Sequence, residues 1–297
     1  MPGVHANGLT IAFDSFGRQG ADPILLISGL GVQMIRWSAP FCLALASQGF
    51  RVIRFDNRDV GLSTHLDDAP VPDLGAVSQA LGRGERPGAP YALRDMADDA
   101  VGLLDALEIG RAHVVGRSMG GMIAQVMASE RPHRVLSLTS MMSSTGNPGL
   151  PAPAPEAMAV LGRRGPDPRQ DEAGHVAHSV DSARVIASPG FAFDERAQRA
   201  QALAEVRRAY NPAGFARQVA AMITAGDRRA RLNTIVAPTL VLHGAHDLLI
   251  PLAGGQDTAA HIPGAELRVI DGMGHDLPTE LHESFAHAIA ANARRAG

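Results

Sequence analysis

Val114-Val115-Gly116-Arg117-Ser118-Met119-Gly120-Gly121-Met122-Ile123-Ala124 sets a single hydroxyl between glycines, after an apolar run and before a stretch with helical spacing. Its centre, Gly116 to Gly120, fits the pattern G-x-S-x-G, which requires a strand before it and a helix after it. Both are expected here. At such a turn the serine takes strained backbone angles, and only small flanking residues let strand and helix approach closely enough to hold its oxygen outward. A glycine-rich turn with a solvated serine would read the same way. Partners elsewhere in the chain therefore decide the matter.

Outward from this stretch, short β-type runs alternate with longer helical patterns, which predicts an α/β fold: a mostly parallel sheet with helices on both faces. The strand candidates are Leu9 to Phe13, Ile24 to Ser28, Arg51 to Asp56, His113 to Gly116, Val135 to Ser140, Thr239 to His243 and Glu266 to Ile270. Helices are expected from Trp37 to Ser47, Leu93 to Leu107, Met119 to Ser129, Ala253 to Ala260 and Leu277 to Ala291. Between about Thr145 and Ile235 the strand rhythm stops, after a proline-rich opening at Pro148 to Pro155. Helical patterns follow, notably Asp194 to Tyr210 and Pro212 to Ala225, so this segment is expected to be a helical cap rather than a long bare loop. The division expected is core 1–144, cap insertion 145–235, and core again 236–297. Leu66 to Pro90, rich in Pro, Gly and Asp, is expected to be a surface excursion.

A serine hydroxyl is a weak nucleophile at neutral pH and needs a general base, itself oriented by a third group. Asp271-Gly272-Met273-Gly274-His275 follows the last expected strand, which places His275 over the carboxyl edge of the sheet, where open α/β sheets bind ligands. One strand earlier, His243-Gly244-Ala245-His246-Asp247 puts Asp247 on the same edge. The order Ser, Asp, His along the chain is that of the α/β-hydrolase triad. Met141-Met142-Ser143-Ser144-Thr145, after the expected strand Val135 to Ser140, offers no competing acid. His243 and His246 are expected to pack or cap the Asp247 loop, and Asp276 to diverge from its neighbour His275. Acyl transfer also needs donors aimed at the developing oxyanion. Met119, opening a helix, presents one unpaired amide. The loop Ser28-Gly29-Leu30-Gly31 supplies the second candidate, Leu30, although a glycine loop that merely ends a strand stays open.

The 297 residues are 45% hydrophobic with a formal charge of −3, enough for a sizeable core and without the basic footprint of a nucleic-acid or anionic-membrane binder. Cys42, the single cysteine, sits among Phe41, Leu43 and Leu45 and reads as a buried small residue. Met1 to Gly8 lacks the features of a secretory leader and no apolar run approaches a membrane span, so a soluble cytoplasmic protein is expected. His175 and His178 stand three apart, but no further ligands follow at metal-site spacing. No metal or cofactor is expected.

Taken together, Gly29-Leu30-Gly31, Asp56 to Ser63, Gly116 to Gly121, Asp247 with Pro251, and Gly274-His275 resemble the α/β-hydrolase superfamily over nearly the whole chain. The likeness is to serine esterases of the aclacinomycin methylesterase type and, more loosely, to enol-lactone hydrolases. It implies Ser118 as nucleophile, Asp247 as acid, His275 as base, Leu30 and Met119 as oxyanion donors, a helical cap, and hydrolysis of a small-molecule ester. Two positions depart from many relatives: Ser28 stands where His is common, and Arg117 is unusual beside the nucleophile. Arg117 is expected to be structural, as an ion-pair partner, rather than to alter the pocket, and Asp56 and Arg58 are expected to pair and fix their loop. The apolar residues of the insertion (Met158, Leu161, Val185, Ile186, Phe191, Phe193, Leu203, Met222) carry no polar signature, so an apolar or moderately sized ester follows. Lactonase, carbon-carbon bond hydrolase or perhydrolase chemistry on the same triad is the alternative, with a small-molecule receptor as the reading outside catalysis.

Overall fold

Strands of unbroken apolar residues form where helices cover both faces of a sheet. The computed structural model describes residues 3–85, 87–163 and 165–297, apart from the side chain of Leu161. Its strands are β1 (Gly3–Ala6), β2 (Leu9–Phe16), β3 (Pro23–Ile27), β4 (Arg51–Phe55), β5 (Ala112–Arg117), β6 (Val135–Met141), β7 (Thr239–Gly244) and β8 (Glu266–Ile270). They form one eight-stranded sheet in the order β1-β2-β4-β3-β5-β6-β7-β8. The β1-β2 and β2-β4 pairs are antiparallel and the other pairs parallel.

The helices are α1 (Ala39–Ser47), α2 (Leu74–Gly82), α3 (Leu93–Ala106), α4 (Met119–Glu130), α5 (Pro155–Gly162), α6 (Glu172–Val185), α7 (Glu195–Arg208), α8 (Pro212–Thr224), α9 (Arg229–Leu232), α10 (Leu252–His261) and α11 (His282–Ala293). Alternation along the strands divides the core. Leu25, Ile27 and Val114 pack with α3 and α4 on one face, while Ile24, Leu26 and Val115 pack with α1 and α11 on the other. Each such side chain, fully buried, contributes roughly 1.5–3 kcal/mol of apolar burial. Cys42 is among them, and burial pushes its thiol up to about 12, so it stays protonated and unreactive.

The α/β class holds, and the expected strands are present within a residue or a few at their ends. Four elements differ. β1 is additional, joined to β2 through Asn7-Gly8, both at positive φ, which is a two-residue hairpin turn. The stretch from Leu66 to Pro90 holds a helix, α2, because Asp73 caps the amides of Gly75 and Ala76. α1 begins at Ala39 rather than Trp37, since Ser38 caps Phe41 and Pro40 stands in the first turn. α11 begins at His282 rather than Leu277; Pro278 leads into a single 3-10 turn first. Between β6 and β7 the chain is helical, α5 to α9.

Candidate active site

β5 passes into α4 through Ser118, whose φ of 56° and ψ of −125° are rare for a residue with a side chain. The glycines around it are there for want of space. A Cβ on Gly116 would overlap the Gly120 carbonyl, one on Gly120 would overlap main-chain oxygens of Ile27 and Ser28, and one on Gly121 would lie 2.6 Å from Ser143 Cβ. Ser118 N–H donates to Met141 O at 2.9 Å, and Ser143 Oγ donates to Ser118 O at 2.8 Å. The turn is thus locked from both sides.

Ser118 Oγ donates to His275 Nε2 at 3.0 Å, and His275 Nδ1 donates to Asp247 Oδ2 at 2.7 Å. Both His275 and Asp247 are 5% exposed. The other oxygen of Asp247 accepts the amides of Leu249 at 2.9 Å and Ile250 at 2.8 Å, which fixes the carboxylate plane. His243 lies 3.6 Å from Asp247 Oδ2, but its Nε2 donates to Ile250 O at 2.8 Å. Burial lowers the His243 pKa, so it is a neutral packing residue of the acid's loop. His246 Nδ1 accepts from Gly272 N–H at 3.2 Å, tying the same loop to that of His275. A hydroxyl, an imidazole and a carboxylate are therefore in one hydrogen-bonded line, an arrangement able to activate the hydroxyl.

Gly29 brings the loop after β3 against the serine: a Cβ there would lie 3.2 Å from Ser118 Cβ and 3.7 Å from its Oγ. Leu30 and Met119 amides find no acceptor among the described residues. Gly31 N–H donates to Gln218 Oε1 of α8 at 2.8 Å, and Asn57 Nδ2 donates to Ser28 O at 3.0 Å. These two bonds support the loop where Ser28 stands, its own hydroxyl being buried without a partner among the described residues.

Two expectations are corrected. Asp56 and Arg58 do not pair with each other: Asp56 meets Arg208 at 2.6 Å and caps Met34 and Leu62 amides, whereas Arg58 turns away to grip Asp99 at 2.6 Å. Arg117 makes no ion pair among the described residues; its guanidinium lies 5.7 Å from the Trp37 ring centroid. Burial first, then Arg36, bring its pKa down to about 10, so it remains a cation. His175 Nδ1 donates to Pro166 O and His178 Nε2 to Arg163 O, and no group of metal-ligating side chains occurs among the described residues.

A cavity of about 610 Å³ lies beside Gly31, walled by Leu74, Tyr210 and Phe215 among others. A second, of about 580 Å³, lies behind Asp247 and includes Val185, Phe191 and Phe193. Met158 is instead 48% exposed. The helices between β6 and β7 also bond to each loop of the site, with Ala154 N–H donating to Leu248 O at 2.8 Å beside the acid and His275 N–H to Ile186 O at 2.8 Å. Ser143, Gln218 and Ser188 go unmarked as supports in the sequence, because each is a lone polar residue whose partner lies far along the chain.

An open α/β sheet with a strained serine at a strand-to-helix turn, followed by an acid and a histidine on later strand ends, defines a class, and a family model supports it. Residues 22–280 match the model described as alpha/beta hydrolase fold. The chain belongs to the α/β-hydrolase fold family. It is similar to rhodomycin D methylesterase DauP of Streptomyces sp. (strain C5), at 30% identity over 97% of this chain and 96% of that protein. Among solved structures it is similar to the enol-lactonase of Burkholderia xenovorans LB400, at 25% identity, a TM-score of 0.70, and coverage of 99% of this chain and 100% of that one. The meta-cleavage product hydrolase of Pseudomonas fluorescens IP01 shares the fold at 21% identity, with a TM-score of 0.75 and coverage of 100% and 98%.

Proposed function

We propose that this hydrolase is a serine carboxylic ester hydrolase acting on a small-molecule ester through an acyl-enzyme. The observation that carries the reading is the relay from Ser118 Oγ through His275 to Asp247 at 3.0 and 2.7 Å. His275 takes the serine proton as Oγ attacks the ester carbonyl; Asp247 holds the imidazole in the tautomer that leaves Nε2 free and stabilises the imidazolium. The Leu30 and Met119 amides receive the oxyanion, Met119 with the help of the α4 dipole. His275 then returns the proton to the leaving alcohol, and later activates the water that frees the acid. This chemistry calls for no cofactor.

Residues 145–235 act as a cap in this reading, and the cavity beside Gly31 takes part of the substrate. Similarity to the rhodomycin D methylesterase favours a methyl ester over a long-chain ester. The test is turnover of methyl, aryl and lactone substrates by wild type and Ser118→Ala. Wild type is expected to release acid and alcohol over many turnovers, and the variant to lose about 10⁴-fold or more in kcat with its fold intact. A variant at wild-type rate would sink the assignment. The resemblance to the enol-lactonase keeps lactones in the panel, where a product without a leaving alcohol tells the two reactions apart.

A further inference from the structure

His275 sits on a loop that is fastened to the end of α6 by consecutive residues. Gly274 N–H donates to Ser188 Oγ at 2.9 Å, His275 N–H donates to Ile186 O at 2.8 Å, and Ser188 Oγ donates to Asp276 Oδ1. Gly190 N–H donates to Gly272 O at 2.8 Å a little further along. The two segments touch at the backbone. A Cβ on Gly274 would lie 2.6 Å from Ala187 O, and one on Gly190 would lie 2.6 Å from Gly272 Cα.

Ser188 is 5% exposed, and its hydroxyl accepts a hydrogen bond from the residue before the imidazole while donating one to the residue after it. Burial raises the Asp276 pKa, and the bond from Ser188 opposes that rise, so this hydroxyl also steadies a carboxylate enclosed beside the base. Displacing a catalytic group by about 1 Å can lower a rate about 100-fold, so the backbone on either side of His275 has to be held closely.

We propose that Ser188 is a positioning residue for the base, acting through Gly274 and Asp276 to keep His275 between Ser118 and Asp247. The proposal rests on the catalytic reading of those three residues, and its test must separate the two. Phosphonylation by an aryl fluorophosphonate does so without a guess at the natural substrate. Ser118 Oγ attacks phosphorus, the P–O bond forms as the P–F bond breaks, fluoride leaves, and the serine proton passes to His275.

Second-order labelling rates are compared for folded wild type, Ser188→Ala, Ser188→Thr, Asp276→Leu and the Ser188→Ala/Asp276→Leu double variant. Circular dichroism and thermal midpoints confirm folding. Ser188→Ala is expected to slow labelling about 10- to 100-fold, and Ser188→Thr, which keeps the hydroxyl, to stay within about 3-fold of wild type. Asp276→Leu breaks the same path, so the double variant is expected to be no slower than the slower single one. Should Ser188→Ala not fold, Asp276→Leu against Ser188→Thr carries the comparison. Labelling of Ser188→Ala within about 2-fold of wild type, or losses that multiply in the double variant, would overturn the positioning role. A wild type unlabelled at Ser118 would overturn the catalytic reading, and the proposal with it.

Discussion

Asp247 uses its two oxygens differently, one on backbone amides and one on His275, and this makes the outcome of Asp247→Asn specific. The amide oxygen will keep the Leu249 and Ile250 N–H groups, which leaves the NH2 facing His275 Nδ1. That nitrogen must then accept, the proton moves to Nε2, and the base no longer faces Ser118 with a lone pair. The expected loss is about 10³- to 10⁴-fold in kcat with little change in thermal midpoint, as found where a triad acid is made an amide. Arg117 gives a contrasting case. It makes no ion pair among the described residues, only a longer-range attraction to Asp276, so Arg117→Met is expected to shift unfolding stability by less than about 1 kcal/mol, measured by urea titration. At this scale the sequence was informative where chemistry demands a residue type: Ser118, Asp247 and His275 stand out by motif, order and place on strand ends. Ser188 and Gln218 did not, because a single hydroxyl or amide becomes meaningful only once folding supplies its partner.

Among elements, the tie between the loop after β4 and α8 is the most sensitive to change. Arg217 Nε and Nη2 grip Asp59 at 2.8 and 2.7 Å, with side chains 1% and 0% exposed. Burial alone would raise the Asp59 pKa, but the Arg217 bonds together with the Leu66 amide and the Tyr91 hydroxyl outweigh it and hold the carboxyl below its usual value. Arg217→Met leaves that charge enclosed and unpaired, so a loss of about 3–5 kcal/mol is expected in chemical denaturation, enough to loosen α8 and the Gln218 support of the Gly31 loop. The parallel strands were legible because unbroken apolar runs have few other uses. β1 was missed even though Asn7-Gly8 carried the hairpin signal, since four residues offer too little alternation to register. α6 has scant apolar periodicity, with Val176 and Val180 its buried residues, so packing against α7 rather than pattern defines it.

For the whole molecule, three histidines set how folding responds to acid. His113, His243 and His282 are buried, and burial lowers the pKa of each below its ordinary value. Below about pH 6.5 the unfolded chain binds protons that the folded chain refuses, so stability falls as pH drops from there and levels off once the folded-state values are passed. The slope contributed by each histidine is at most about 1.4 kcal/mol per pH unit. Urea midpoints between pH 8 and pH 5 should therefore be flat at first and then decline. A midpoint that rises on acidification would contradict the burial of these rings. Asp99 and Asp276, raised by burial, act with the opposite sign in the carboxylate range.

Since Ala154, Ile186 with Ser188, and Gln218 each grip a different loop of the site, the helical segment cannot be exchanged as a module. A chimera carrying a transplanted segment from a distant relative would inherit the serine turn intact yet present a slack acid loop, an unanchored histidine and a drifting Gly31. Diversification of substrate range in such a protein is therefore expected to proceed by substitutions that spare those few contacts, not by wholesale replacement.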